Sequence, residues 1–144
     1  MSSNEDMDLA SGLSAFEAKH FNQAAKLLAP LADAGNAEAQ YRMAIMCQNG
    51  LARAQNDEDA FMWMKKAADQ GHALAQHGIG FMYLQGECVA KDEQEAVKWF
   101  TAAAEQGLPG SQMTLGMMYE QGQGVEQNSE EAQKWYKAAE SNSA

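Results

Sequence analysis

Apolar and small residues recur along this chain at the three- and four-residue spacing that places side chains on one face of a helix. One such stripe starts at Gln40 and continues with Met43, Ala44 and Cys47. A second stripe follows after a loop that contains glycine, and it consists of Ala60, Trp63 and Ala67. The two stripes predict a pair of helices, A and B, joined by a short connection.

The predicted helix pair recurs with a period of 36 residues. Sliding the sequence by that period superimposes Gly35 on Gly71 and Gly107, together with six further sets of identical residues. These sets are Gln40, Gln76 and Gln112; Met46, Met82 and Met118; Gly50, Gly86 and Gly122; Ala60, Ala96 and Ala132; Trp63, Trp99 and Trp135; and Ala67, Ala103 and Ala139. Because self-similarity at one fixed period is the signature of stacked structural repeats, the pattern predicts a solenoid.

The ends of the predicted helices carry residues that stop or start a helix. Gly50, Gly86 and Gly122 end helix A, because glycine readily takes the left-handed conformation found at helix C-termini. Good N-caps, each followed three residues later by an acid, precede helix B, namely Asn56, Asp92 and Asn128. The predicted helices cover residues 7–18, 21–34, 37–49, 57–70, 73–85, 93–106, 109–121 and 129–140.

Three segments of the last repeat resemble a known family. They are the run Leu115–Tyr119, the loop Gly122–Val125 and the run Glu131–Ala139, and all three are similar to the Sel1-like repeat, a relative of the tetratricopeptide repeat. The resemblance implies an all-α fold, a right-handed α-solenoid of about four helix-turn-helix repeats. Ala52 and Cys88 stand where this repeat has a loop glycine, and we expect them to change local packing without changing the architecture.

The predicted organisation is one repeat domain that covers residues 7–140. Its repeats are 7–34, which is divergent and has a shorter connection between its helices, and the three clearer copies 35–70, 71–106 and 107–140. Residues 1–6 are expected to form a flexible N-terminus and residues 141–144 a C-terminal tail.

The net charge of the chain limits the classes of molecule that it can bind. The formal net charge is −10, and none of the four repeat segments is basic. Proteins that bind nucleic acid or anionic membranes neutralise phosphates with clustered Lys and Arg, so we exclude both as main partners. The acidic N-terminus is unlike a secretory signal, and no apolar run approaches the roughly 20 residues of a membrane-spanning helix. With two cysteines 41 residues apart, a soluble cytoplasmic protein without a disulfide is expected.

No set of residues predicts catalysis or a metal site. His72 and His77 are five residues apart, about 140° around a helix, so they cannot bind one metal ion as an i, i+4 pair would. The acids are concentrated at helix starts and on faces expected to be exposed, where capping and solubility explain them. We therefore expect no enzyme activity, no cofactor and no metal.

Positions that vary between repeats suggest where a partner binds. Helix A carries another stripe of residues, about 100° around the helix from the stripe that repeats. By resemblance to tetratricopeptide repeats this stripe lines the concave groove, and we call it the binding stripe. Its members are Leu13, Phe16, Tyr41, Ile45, Gln48, His77, Phe81, Leu84, Met113, Met117 and Glu120. The alternative is that these side chains simply contact the next helix A, and for Ile45 and Phe81 the two interpretations are equally balanced.

These observations predict a scaffold or adaptor that holds a peptide segment or helix of another protein in its concave groove. An inhibitor or immunity-type protein that caps a partner enzyme with its acidic surface is the alternative, and it would show strongly salt-sensitive binding. An enzyme is the third possibility. The sequence leaves open the partner and whether the chain is a monomer or a weak dimer.

Overall fold

The computed structural model describes residues 3–143, and over those residues it consists of helices joined by short loops. Eight helices and no strand are found in this part of the chain. They are α1 Ser3–Glu17, α2 Phe21–Asp33, α3 Ala37–Asn49, α4 Asp57–Asp69, α5 Ala73–Gln85, α6 Glu93–Glu105, α7 Pro109–Gln121 and α8 Ser129–Asn142. Odd-numbered helices are of type A and even-numbered helices of type B, so the predicted all-α class and helix alternation are confirmed.

The helices are grouped in two compact units, Met1–His72 and Ala73–Ala144. Within the first unit, α1 packs on α2, α2 on α3 and α3 on α4. Within the second unit, α5 packs on α6, α6 on α7 and α7 on α8. Each unit therefore consists of two A–B hairpins, and helix B of the first hairpin packs on helix A of the second, as in repeat proteins.

Helix boundaries follow the capping residues. The side chain of Asn56 accepts a hydrogen bond from the backbone N–H of Asp59 at 3.0 Å, and Asp92 and Asn128 cap α6 and α8 in the same way. Gly50 and Gly122 end α3 and α7 in the left-handed conformation. Because these signals are local, seven of the eight predicted helix starts coincide with the observed ones.

The two ends of the chain differ from the sequence-based prediction. Helix α1 begins at Ser3, so residues 3–6, which we assigned to a flexible terminus, are helical. Its first turn carries Glu5 and Asp6, whose negative charges interact favourably with the helix dipole. At the other end α8 continues to Asn142, and the side chain of that residue donates a hydrogen bond to Gln112 at 3.2 Å. Residues 1–2 and 144 lie outside the described part of the chain.

Glycines on helix A allow helix B to approach closely. A Cβ atom added to Gly80 would lie 2.9 Å from the Phe100 ring, and one added to Gly116 would lie 2.6 Å from the Tyr136 ring. Real Cβ atoms essentially never come this close to another heavy atom, so only glycine fits without a shift. We call these contacts small–large pairs, and the first hairpin has one as well, between Gly12 and Leu28.

Recurring glutamines join the repeats through buried hydrogen bonds. Gln40 donates to the backbone carbonyl of Ala32 at 3.1 Å, and Gln112 donates to that of Ala104 at 3.0 Å. Each also accepts a bond from its own repeat, since Gln70 donates to the Gln40 side chain at 2.8 Å and Asn142 to that of Gln112. We call this arrangement the amide bridge. It gives a second donor to a carbonyl in the last turn of helix B, which also accepts a backbone hydrogen bond from Gly35 or Gly107.

Both cysteines are thiols, as expected. Cys47 is fully buried in α3, and an Arg53 N–H group points at its Sγ atom from 3.7 Å. Burial raises the pKa of the Cys47 thiol more than the Arg53 charge and hydrogen bond lower it, so this cysteine is a packing residue rather than a nucleophile.

Candidate partner-binding surface

In the first unit, every predicted member of the binding stripe is half-buried. Two lie on α1 and three on α3, namely Leu13, Phe16, Tyr41, Ile45 and Gln48. Phe16 contacts Phe21 at the start of α2, with ring centroids 5.4 Å apart in an edge-to-face arrangement. These side chains are therefore accessible only in part, and the aromatic members also stabilise the unit.

Arg42 lies between the two aromatic members of this stripe. Its guanidinium is 4.9 Å from the centroid of the Phe16 ring and 5.6 Å from that of Tyr41. It also forms ion pairs with Glu17 at 2.9 Å and with Glu38 at 3.0 Å. The sequence analysis missed this residue, although the i, i+4 spacing of Glu38 and Arg42 on one helix was a signal for the second pair.

His72 completes the cluster at the end of the first unit. Its ring stacks on Tyr41 with the centroids 4.8 Å apart, and its Nε2 atom is hydrogen-bonded to Glu38. Burial alone would raise the pKa of the Glu38 carboxyl, but the hydrogen bonds and charges of His72 and Arg42 outweigh it and lower that pKa. Glu38 is therefore a carboxylate at neutral pH, and its oxygens are engaged by this cluster.

In the second unit, His77 is a packing residue. Its Nδ1 atom forms a 2.7 Å hydrogen bond with the Ser111 hydroxyl of α7, and its ring contacts Phe81 and Phe100 edge to face. Burial lowers the pKa of His77, so the imidazole is neutral at pH 7. A serine next to a neutral histidine resembles part of a catalytic triad. Ser111, however, has no exposed surface, so the pair joins two helices rather than presenting a nucleophile.

Phe81 and Leu84 lie at the edge of the second core. Both pack against a buried cluster that includes Phe100, Leu115 and Met118, and the Phe81 and Phe100 ring centroids are 5.0 Å apart. The ring contact of Phe81 is thus with α6, helix B of its own repeat, whereas the alternative to the groove was a contact with the next helix A. Because Phe81 is only half-buried, part of its surface is accessible as well.

The exposed members of the stripe are all on α7. Met113 and Met117 each expose 46% of their surface, and Glu120 is exposed one turn further along. Tyr136 of α8 donates a hydrogen bond to the Glu120 carboxylate, and burial followed by the charge of this acid raises the pKa of the tyrosine. The two methionines therefore provide the apolar surface of the stripe that is most accessible to another molecule.

The described residues contain no cluster of three or more His, Cys, Asp or Glu side chains arranged for a metal ion. In the same part of the chain, every helix is too short or too polar to cross a membrane.

The partly buried side chain of His77 predicts a pH dependence of stability. In the unfolded chain the His77 imidazole has the ordinary pKa of about 6.5, whereas in the folded protein burial lowers it. The folded state therefore has its full stability above pH 6.5. It loses stability progressively as the pH falls below that value, because the unfolded chain then binds the proton more readily.

We expect the free energy of unfolding of His77→Gln to fall less between pH 7.5 and 5.5 than that of the wild type, in urea titrations at each pH. His20→Gln, at an exposed position, is the matched control. Parallel curves for wild type and His77→Gln would contradict the prediction.

Comparison with known protein families identifies three of the repeats and their boundaries. The family model described as Sel1 repeat matches residues 37–72, 73–108 and 109–143. These matches have the predicted period of 36 residues and begin two residues after the predicted repeat starts. No curated protein matches the chain.

Solved structures show the same architecture. A Sel1 repeat protein from Oxalobacter formigenes has a TM-score of 0.90 and 34% identity, over 94% of this chain and 54% of its own. A protective antigen of uropathogenic Escherichia coli strains, which displays an SLR fold, has a TM-score of 0.80 and 34% identity, over 83% of this chain and 26% of its own. Cysteine-rich protein B of Helicobacter pylori shares the fold, with a TM-score of 0.67 and 21% identity over 85% of this chain and 91% of its own.

The chain thus spans about half the length of the Oxalobacter protein and about a quarter of the Escherichia coli antigen. Three family repeats cover residues 37–143, and the α1–α2 hairpin precedes them as a fourth helix pair. The resemblance noted in the sequence is therefore confirmed, and the chain belongs to the Sel1 repeat family.

Proposed function

We propose that this protein is an adaptor that binds a segment of another protein through the exposed faces of its A helices and contributes no chemistry of its own. Sel1 repeat proteins generally mediate protein–protein interactions. The observation that carries the proposal is the pair of methionines on α7, each 46% exposed among largely buried neighbours. Methionine is flexible and polarisable, and it is common on surfaces that bind helices or extended peptides.

The charge of the chain sets the chemistry of the partner. With a net charge of −10, the protein attracts basic segments and repels acidic ones. We therefore propose a partner segment that combines apolar side chains with Lys or Arg. If the acidic surface itself bound an enzyme, as in the inhibitor alternative, association would weaken steeply with salt and would tolerate changes at the methionines.

Substitution of Met117 tests the proposal. We expect Met117→Glu to weaken partner binding by about 30-fold, because an interface anchor typically contributes about 2 kcal/mol and the new charge would be desolvated in an apolar contact. Binding would be measured by affinity capture with purified chain as bait, followed by titration of the captured partner.

The matched control is Met62→Glu on α4, where the methionine is 37% exposed but lies on a B helix. Circular dichroism must show that both variants have the helical content of the wild type. Full retention of wild-type partners by a folded Met117→Glu protein would exclude this face as the binding surface. Phe81→Ala is a poorer test, because the Phe81 ring also packs on Phe100 and its loss would destabilise the second unit.

A further inference from the structure

The last hairpin has an open apolar groove between its two helices. The groove has a volume of about 700 Å³ and is lined by the first turn of α7, by Met113 and by the α8 residues Tyr136, Ala139 and Glu140. Met113 is also a member of the predicted binding stripe, whereas Met117 does not line the groove. We call this feature the α7/α8 groove.

One repeat earlier, the corresponding positions are covered by a helix. The residues 36 positions before Met113, Tyr136 and Glu140 are His77, Phe100 and Ala104. In the second unit α7 lies on all three of them: Ser111 is hydrogen-bonded to His77, Leu115 packs in one buried cluster with Phe100 and Ala104, and Gln112 donates to the Ala104 carbonyl. The surface that corresponds to the groove one repeat earlier is thus covered by a helix of type A.

Two side chains distinguish the open groove from the covered one. Phe100 is fully buried and Ala104 is 1% exposed, whereas the residues at their positions in the last repeat are a half-buried tyrosine and an exposed glutamate. Glu140 therefore adds a carboxylate at the edge of an otherwise apolar surface. A helix that lies there needs apolar side chains for the groove and a cation opposite Glu140, since a buried acid without a partner is strongly unfavourable.

We propose that the α7/α8 groove binds an α-helix of a partner protein, laid as α7 lies on α5 and α6, with a Lys or Arg of that helix facing Glu140. The inference rests on the proposed adaptor function and specifies one site and one kind of partner segment for it. The second unit has a net charge of −6, with ten acids and four bases in residues 73–144, and this charge favours the approach of a basic helix.

A second copy of this chain is a poor occupant. Because the connection in the first hairpin is four residues shorter than in the others, the α1 residues that correspond to Gln112, Leu115 and Met118 of α7 are Asp8, Ser11 and Ser14. These side chains are polar and exposed, and Asp8 would bring a negative charge towards Glu140. Helix α1 of a second copy therefore lacks both the apolar stripe and the cation that the groove needs.

Synthetic helices provide the probe. One peptide carries residues 107–122 of this chain, which contain the helix that covers the equivalent surface, and the second is the same peptide with Gln112→Lys. Gln112 is chosen because its side chain reaches residue 104, the counterpart of Glu140. Both peptides would be titrated into the 144-residue protein and followed by chemical shifts of residues 109–143. We expect both to bind, the lysine peptide about threefold to fivefold more tightly, and this gain to disappear in Glu140→Gln.

Met113→Glu and Met62→Glu form a matched pair for the same titration. Both methionines are exposed, 46% for Met113 and 37% for Met62, but only Met113 lines the groove. We expect Met113→Glu to weaken peptide binding by about tenfold and Met62→Glu to leave it unchanged. Absence of binding by both peptides, equal effects of the two variants, or an unchanged lysine preference in Glu140→Gln would each overturn the proposal. So would a dimer in sedimentation that Met113→Glu dissociates, because a second copy would then occupy the groove.

The outcomes separate this inference from the adaptor function. Loss of partner capture by Met117→Glu, with no peptide bound by the wild type, would overturn the groove and support the adaptor. Peptide binding with the expected Met113 and Glu140 dependence, together with full partner capture by Met117→Glu, would support the groove and exclude the wider A-helix surface.

Discussion

Replacing Phe100 with alanine should lower the free energy of unfolding by about 3–5 kcal/mol and the melting temperature by about 10 °C or more. Phe100 is the largest fully buried side chain of the second unit, and it contacts Gly80, His77 and Phe81. Its removal leaves a cavity among residues of two neighbouring hairpins. Urea and thermal unfolding followed by circular dichroism would measure the effect.

Gly80, the small partner of Phe100, allows a sharper test of the same contact. Gly80→Ala should destabilise the protein although alanine is the better helix former, because the new Cβ would lie 2.9 Å from the Phe100 ring. In the preceding repeat the same two positions hold Ala44 and Met64. The double variant Gly80→Ala, Phe100→Met reproduces that combination and should recover most of the stability lost by Gly80→Ala. If the two substitutions were additive, steric contact between these positions would not limit the packing.

The second large effect is expected in the loop before α8. Gly124 has a φ angle of +74°, and a Cβ atom there would lie 2.6 Å from the carbonyl oxygen of Glu93. An L-residue in the left-handed region costs about 1–2 kcal/mol, and the contact with rigid backbone adds to this. We expect Gly124→Ala to lower the free energy of unfolding by about 2–4 kcal/mol, measured by urea denaturation.

Ala52 is the matched position for that experiment. It precedes Gly124 by two repeats, it has a φ angle of +63°, and its side chain is exposed. Ala52→Gly relieves the strained conformation and should stabilise the protein by about 0.5–1 kcal/mol, after the greater flexibility of glycine in the unfolded chain is counted. Destabilisation by Ala52→Gly would show that the φ angle is not the controlling factor in these loops.

The helices could be predicted from the sequence because their signals are local and are repeated. A cap such as Asn56 or Asn128 acts on backbone groups within three residues, and the 36-residue period supplied three independent copies of each pattern. The small–large pairs could not be predicted in the same way. Their large partners differ from pair to pair, as Leu28, Phe100 and Tyr136 show, so the period did not mark them. Their contacts depend on how closely two helices approach.

The candidate site was predicted only in its outline. The stripe identified positions that vary, but periodicity cannot distinguish an exposed side chain from one held by a neighbour 30 residues away. His77 is engaged by Ser111, which is 34 residues further along the chain, whereas Met113, at the position of His77 in the next repeat, is 46% exposed. The Arg42 cluster similarly joins residues of α1 and α3 with His72, which lies between α4 and α5. Whether such a side chain is exposed therefore depends on contacts between residues that are far apart in the sequence.

The amide bridges make the length of such a protein adjustable. Gln40 and Gln112 each give one hydrogen bond to the repeat before and receive one from their own repeat. Tandem duplication of a 36-residue unit inside the gene would therefore add one donor and one acceptor together, and excision of a unit would remove both. Neither event leaves a buried amide without a partner, so natural selection can vary the number of units at little risk to folding. Such genetic copying would produce relatives nearly twice and about three times as long as this chain.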